Sequence, residues 1–174
     1  DATSLAIGMT IDASTGAFSW TPTESQGGAS YSATITVTDN GTNLSNLTDS
    51  ETISITVNEV NVAPVLVTIG GRSVDEQATL SFTALASDAD LPAQTLSYSL
   101  DAAAITAGMS INPSTGAFSW TPTESQGGAS YSATIMVADN GTNPASLVDS
   151  ETFSITVAEV NVAPVLGAIG NQTV

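Results

Sequence analysis

The side chains able to carry chemistry in this sequence are almost all carboxylates: 17 Asp and Glu stand against one basic residue, Arg72, with no His and no Cys. Without His, Cys or Lys there is no Ser–His–Asp triad, no thiolate nucleophile, no Schiff base and no thiolate or imidazole metal site. Neither a P-loop nor a dinucleotide-binding glycine pattern is present. Carboxylates alone leave two chemistries. A pair can hydrolyse a glycoside, and Glu124 with Glu151 would be the candidates, but both recur 100 residues earlier as Glu24 and Glu51. Duplicated positions more often serve a repeated architecture than an active site, so the expectation is a protein that is not an enzyme. The second chemistry is cation binding. Ca²⁺ takes about six to eight oxygens, preferably several carboxylates with amide carbonyls. In an extended segment residues i and i+2 face the same way, so Asp88 and Asp90 can grip one ion.

The charge balance favours that second chemistry. A net charge of -16 with no Lys leaves the carboxylates to repel each other unless a soluble cation neutralises them. It argues against nucleic acid or an anionic membrane as partner. The absence of Cys removes a disulfide framework, and the absence of Lys removes a Lys-based isopeptide staple. No apolar run approaches the length of a membrane span, and whatever targets the parent protein is expected outside these residues.

The elements that must position the carboxylates come in repeats. Residues 1–74 align without a gap with 101–174, at roughly 70% identity, and STGAFSWTPTESQGGASYSATI at 14–35 recurs unchanged at 114–135. EVNVAPVL at 59–66 recurs at 159–166. A period of 100 suits one independent sandwich domain per repeat. If each repeat opens at the Ala-Pro of that linker, 63–162 is one complete repeat. Residues 1–62 are then the C-terminal part of an upstream repeat, and 163–174 the first strand of a downstream one. The chain is thus expected to be a window on a longer array.

Within the repeat, apolar residues alternate with Ser and Thr at period 2. Tyr131, Ala133, Ile135 and Val137 form one such series; Phe153, Ile155 and Val157 another; Leu80, Phe82, Ala84 and Ala86 a third; Leu96, Tyr98 and Leu100 a fourth. Phe118 and Trp120 share a face, and Trp20 and Trp120 are expected in the core. Turn signals (Ser-Thr-Gly at 114–116, Gly-Gly at 127–128, Asp-Asn-Gly at 139–141) separate the runs. Only Ala102–Ala107 has any helical character. About seven short strands per repeat predict an all-β fold of tandem Ig-like, Greek-key sandwiches.

Several stretches together resemble the cadherin superfamily, in particular the bacterial cadherin-like, dystroglycan-type repeats of large surface proteins. They are VDEQATLSFTALASDAD at 74–90, LSYSL at 96–100, GMSINPSTGAFSWTPTESQ at 108–126 and YSATIMVADNGTNPASLVDSETFSITVAEVNVAP at 131–164. That family binds Ca²⁺ where consecutive repeats meet, and the resemblance carries ligands over position by position. Its Asp-x-Asp falls on Asp88 and Asp90, and the aspartate after its Val-x-Ala strand on Asp139, with Asp39 the counterpart in 1–62. The acidic residue near its first strand falls on Glu76. Its Asp-Arg-Glu falls on Glu24-Ser-Gln26 and Glu124-Ser-Gln126, an eroded version in which Gln offers only a neutral carbonyl. The linker Asn falls on Asn61 and Asn161. The aspartate that usually follows it is Val62 and Val162 here, so fewer or weaker ions are expected. One junction would then use Glu24, Gln26, Asn61, Asp88, Asp90 and Asp139, with Glu59 as an extra ligand. The second would use Glu76, Glu124, Gln126 and Asn161, and should look incomplete.

The resemblance implies a secreted or surface protein whose partners are the neighbouring repeats of its own chain and, in a filament, other copies. The function expected is a stalk or fibre segment of a repetitive extracellular adhesin, stiffened by Ca²⁺ at repeat junctions. The competing expectation is a carbohydrate-binding module, which would need exposed aromatics; Tyr31, Tyr131 and Tyr98 all lie in the apolar phase of their strands.

Overall fold

A computed structural model describes residues 1–41 and 46–171. The chain forms two compact units. The first comprises Asp1–Pro64 with the loops Ser87–Leu96 and Ala138–Val148; the second comprises Val65–Ala86, Ser97–Val137 and Asp149–Val174.

The first unit opens on a one-turn helix, α1 (Ala2–Ala6), capped by Asp1, whose carboxylate accepts the Ser4 N–H at 2.9 Å and the Thr34 N–H at 2.8 Å. Two short strands follow, β1 (Thr10–Ile11) and β2 (Phe18–Ser19), paired antiparallel with Ile11 opposite Phe18. A 3-10 turn over Glu24–Gln26 leads into β3 (Ser30–Thr38), which pairs with β4 (Thr48–Thr56) in nine-residue register. On one face of this ribbon every cross-strand pair is hydroxyl against hydroxyl, from Ser30↔Thr56 to Thr38↔Thr48. Thr34 and Thr52 lie within 2.9 Å oxygen to oxygen. Such pairs support a solvated sheet face without charge.

The second unit holds the fuller sandwich. Its strands are β5 (Val65–Leu66), β6 (Arg72–Asp75), β7 (Leu80–Thr83), β8 (Ala86–Ser87) and β9 (Ser97–Leu100), then, after a second one-turn helix α2 (Ala102–Thr106), β10 (Ser110–Ile111), β11 (Ala117–Trp120), β12 (Ser130–Ala138) and β13 (Val148–Ala158). One sheet has the order β10-β11-β7 and the other β6-β13-β12-β9, with β6 and β13 parallel. The period-2 pattern does what it predicts. Ala133, Ile135 and Val137 on β12, and Phe153, Ile155 and Val157 on β13, point inward and are buried, while the intervening Ser and Thr are not. Each fully buried Val, Ile or Phe contributes about 1.5–3 kcal/mol. Phe82 stacks on Phe118 at 4.7 Å, and Phe153 closes the cluster edge-on at 5.6 and 5.9 Å. Trp120 donates its indole N–H to the Ala107 carbonyl at 3.0 Å. The patch of helical character at 102–107 is thus a real turn of helix, and it caps the tryptophan.

The same sequence is buried differently in the two units. Phe118 is 1% exposed and Phe18 36%; Val137 is fully buried and Val37 67% exposed. Among the described residues, the first unit has no strands in the places that β6, β7 and β9 occupy in the second. Likewise Val65–Leu66 form a strand, whereas Val165 and Leu166, their counterparts, are 93% and 84% exposed and unpaired. No strand is assigned over the described residues 163–171.

A matched pair of glycines isolates the packing contribution. Gly16 and Gly116 both sit at positive φ, +74° and +68°. A Cβ on Gly116 would lie 2.4 Å from the Ala84 carbonyl oxygen and against the Tyr98 ring, whereas one on Gly16 would meet nothing within 4 Å. Gly16→Ala should cost only the left-handed backbone penalty, about 1–2 kcal/mol. Gly116→Ala should cost clearly more, because it also breaks into the β7 side of the sandwich. Urea denaturation of the two variants gives the comparison, and equal losses would contradict this packing.

Candidate metal centre

Among the described residues two carboxylate clusters form, one inside each compact unit. In the first, Glu24, Glu59 and Asp90 each bring an oxygen within 4.8 Å of the others. Glu24 comes from the 3-10 turn, Glu59 from the segment after β4, and Asp90 from the loop after β8. Asp90 is 2% exposed, and both its oxygens accept the Val62 N–H at 3.1 Å. Among the described residues, both carboxylate oxygens of Glu59 and Oδ2 of Asp88 are buried with no hydrogen-bond partner. Buried acceptors left without donors are costly, and a cation is what satisfies several at once.

Next to this cluster stands a chain of amides. Asn61 is 5% exposed; its Nδ2 donates to Asp139 Oδ2 at 3.2 Å. Gln94 donates from Nε2 to Asn61 Oδ1 at 2.6 Å and to Asp90 Oδ2 at 2.5 Å. Two glycines make room. A Cβ on Gly27 would lie 2.0 Å from Glu59 Oε2, and one on Gly141 would lie 1.8 Å from Asn61 Oδ1.

The second cluster joins Glu76, Glu124 and Glu159 within the same 4.8 Å. Glu76 is 3% exposed; Oε1 accepts the Val160 N–H at 3.0 Å and Oε2 is buried without a partner. Gln77, at φ +61°, donates its amide to Glu124. Gly127 repeats the role of Gly27: a Cβ there would lie 1.9 Å from Glu76 Oε2 and 2.4 Å from Glu159 Oε2. By the 100-residue offset, Glu124 and Glu159 are the counterparts of Glu24 and Glu59. The third member differs, Asp90 in one cluster and Glu76 in the other.

Of the residues expected at the sites, Glu24 and Asp90 meet in the first cluster with Asn61 nearby, and Glu76 and Glu124 meet in the second; the others take different places. Asp88 and Asp90 do not grip side by side. The strand ends at Ser87, and Asp88 Oδ1 instead accepts the Asp90 N–H at 2.9 Å. With one Asp88 oxygen turned to the Asp90 N–H, the two carboxylates do not act as the matched pair of the i, i+2 argument. Gln26 and Gln126 are not brought to the clusters. Each amide is committed at both ends, Oε1 to the N–H of Thr23 or Thr123 at 2.8 Å and Nε2 to the carbonyl of Ile7 or Ala107 at 3.1 Å. Thr-x-x-Gln is a capping-box pattern, and that signal was legible. Asp139 is a loop clamp: Oδ1 accepts the N–H groups of Gly141 and Leu147, both at 2.9 Å, and it reaches the cluster only through Asn61. Asp39 clamps its own loop in the same way, through the N–H groups of Gly41 and Leu47, and is exposed. Asn161 is exposed, unlike Asn61. Sequence reasoning missed Glu159, which the offset from Glu59 would have supplied, and Gln94, for which the sequence carries no signal.

The sole guanidinium, Arg72, lies 5.1 Å over the Phe82 ring. Burial and the charges of Glu24 and Asp90 push the Glu59 carboxyl above its ordinary 4.5. The charge of Glu76, burial and the charge of Glu124 do the same for Glu159. At Asp139 burial opposes the charge, but the Gly141 and Leu147 N–H groups and Asn61 outweigh it and hold the group below 3.8. Backbone N–H bonds likewise lower Asp39 and Asp12.

The two sets of shifts act in opposite directions with pH. Raised carboxyls stabilise the fold fully below 4.5, and that contribution is lost as pH rises through their folded values. Lowered ones stabilise it above 3.8, and theirs is lost as pH falls through their folded values. In chelator the melting temperature should therefore rise from pH 7 towards about pH 5, then fall in stronger acid. A curve that is flat or falling over the first interval would contradict the clustering of Glu59 and Glu159.

The donor set is all oxygen, with carboxylates and amide carbonyls and no nitrogen or sulfur ligand. It fits a hard cation.

The sequence matches the family described as "Putative Ig domain" over residues 3–58 and again over 63–158. The chain belongs to this Ig domain family. No curated protein matches it. Among solved structures, this Ig-family chain is similar to mouse cadherin-23 EC22-24, with a TM-score of 0.60 and 20% identity over 89% of this chain and 50% of that one. It is also similar to protocadherin gamma B2 extracellular cadherin domains 1-5 (TM-score 0.59, 24% identity, 76% and 27% covered) and to the protocadherin gammaB7 EC3-6 cis-dimer structure (TM-score 0.53, 26% identity, 74% and 32% covered). The Ig-family chain thus spans between about a quarter and a half of these chains. The likeness places it in the all-β, Ig-like and cadherin-like class.

Proposed function

We propose that this chain is a structural, adhesion-type segment of an extracellular or surface-displayed repetitive protein, in which Ca²⁺ ties successive repeats together. The observation that carries the reading is the set of buried, partnerless acceptors at Glu59 and Asp88 beside the Glu24–Glu59–Asp90 cluster. Glu24 and Glu59 belong to the repeat that ends at 62 and Asp90 to the repeat at 63–162, so an ion held by all three joins residues of two repeats. The resemblance to cadherin extracellular domains supports the same reading. Glu24, Glu59 and Asp90 would supply the charged oxygens, with Asn61 and Gln94 adjacent. The Glu76–Glu124–Glu159 cluster is the corresponding site of the next junction, with the fragment 163–174 opening the next repeat. The segment serves as stalk or filament, without catalysis.

An ion bound by the folded chain and not the unfolded one stabilises it by mass action, about 2.7 kcal/mol at a hundredfold excess over Kd. The melting temperature should be clearly higher in millimolar calcium than in chelator; superimposable curves would sink the proposal. Electron microscopy of the isolated assembly separates filament from stalk, since only a filament gives helical order. Carbohydrate binding finds less support. Trp120 is 2% and Tyr98 9% exposed, and Tyr131 packs edge-on to Trp120 at 5.0 Å.

A further inference from the structure

The amide of Gln94 occupies an unusual place. Its Nε2 donates to Asn61 Oδ1 and to Asp90 Oδ2, while its Oε1 is buried and has no partner. Asp90 and Asn61 are both more than nine-tenths buried. The orientation is dictated by the neighbours. Asp90 and Asp139 are acceptors only when ionised, so each must face an N–H. Asn61 gives its N–H₂ to Asp139 and therefore turns its oxygen to Gln94, which turns its N–H₂ to both Asn61 and Asp90. The two amides form a relay whose polarity is fixed at both ends by carboxylates.

The Gln94 donor thus sits on two of the oxygens that a cation would claim. A cation cannot share Asp90 Oδ2 and Asn61 Oδ1 with an N–H₂ group pointed at them. Turning the Gln94 amide over about its last side-chain bond removes the donor from that spot and puts the partnerless Oε1 in its place.

Resting on the calcium reading above, we propose that Gln94 is an exchangeable plug. In the ion-free protein its N–H₂ group stands in for the cation at Asp90 and Asn61, and on binding it reverses to offer its carbonyl oxygen. The device keeps an anionic site folded when calcium is low and supplies a neutral ligand when calcium is high. It also bears on Val62, which stands where the related repeats carry a charged ligand.

The test uses the whole chain, calcium alone as ligand, and two variants. Gln94→Met keeps the volume and removes both donor and acceptor; Gln94→Glu keeps the acceptor and replaces the donor with a charge. In chelator both should melt below wild type, because Asp90 loses the Gln94 N–H₂ and keeps only the Val62 N–H. In calcium titrations followed by calorimetry, Gln94→Met should bind about tenfold more weakly and Gln94→Glu about tenfold more tightly than wild type. The side-chain N–H₂ resonances of Gln94 should shift in step with occupancy. Unchanged affinity in both variants, or N–H₂ resonances that stay put at saturation, overturns the plug while leaving the calcium site standing. Wild type that takes up no calcium overturns the site itself, and the plug with it.

Discussion

Trp120→Ala is expected to cost about 3–5 kcal/mol of stability, and Trp20→Ala markedly less. Both tryptophans have the same local setting. Each donates its indole N–H to a carbonyl at 3.0 Å, Ile7 for Trp20 and Ala107 for Trp120, and each meets a tyrosine edge-on at 5.0 Å. What differs is the cover. Trp120 is 2% exposed on a strand that pairs with β10 on one side and β7 on the other, with Leu80 directly opposite it. Trp20 lies just past the two-residue β2, which pairs with β1 alone, and is only half-buried. The area term, about 25 cal/mol for each Å² removed from water, is therefore largest where both sides are covered. Urea denaturation followed by far-UV circular dichroism measures both losses. Equal costs would mean that the local hydrogen bond and tyrosine contact dominate, and that β7 contributes little.

Glu59→Gln should change sign with calcium. In chelator the wild-type carboxylate is half-buried, both oxygens lack donors, and Glu24 and Asp90 crowd it. Removing the charge and adding an N–H₂ group relieves that repulsion, so the variant should melt higher than wild type. In millimolar calcium the wild type gains the ion's binding energy and the variant has lost a charged ligand, so the order should invert. The inversion separates a metal-binding cluster from a merely crowded one. A variant that is more stable under both conditions would show that the carboxylates repel without a purpose, and one less stable under both would point to a packing role for Glu59. Glu159→Gln, at the second cluster, is crowded by Glu76 and Glu124 where Glu59 is crowded by Glu24 and Asp90, and offers an internal comparison.

How much of this was legible in the sequence depends on the kind of interaction. The sandwich was readable because burial follows a period: Ile135, Val137, Ile155 and Val157 could be assigned to the core from spacing alone, and all are buried. Val37, at the same spacing, is 67% exposed, since burial also needs a partner strand, and period says nothing about whether one is there. At the sites, some of the residues carried over from family resemblance lie together, Glu24 with Asp90 and Glu76 with Glu124. Their roles were less readable. Asp88 was expected to face the same way as Asp90, but the strand ends at Ser87 and Asp88 binds the N–H of Asp90 instead. Gln26 and Gln126 went to helix capping because a short-range hydrogen bond forms regardless of what a distant cluster would gain. Gln94 could not have been found, since its role depends on where a loop closes and not on any spacing.

The adjacent glycines at 127 and 128 look alike on the page and answer to different laws. Gly128 is set by handedness: its φ of +71° is the mirror image of what left-handed amino acids prefer, and a Cβ there would touch nothing within 4 Å. Gly127 has φ -60°, which any residue adopts, and is set by volume alone, because two carboxylate oxygens occupy the space its side chain would need. A D-alanine would therefore suit the second glycine, whereas at the first an L-alanine would adopt the backbone comfortably and still evict the acids. One dipeptide thus encodes a turn and a hole, and only the hole belongs to the carboxylate cluster.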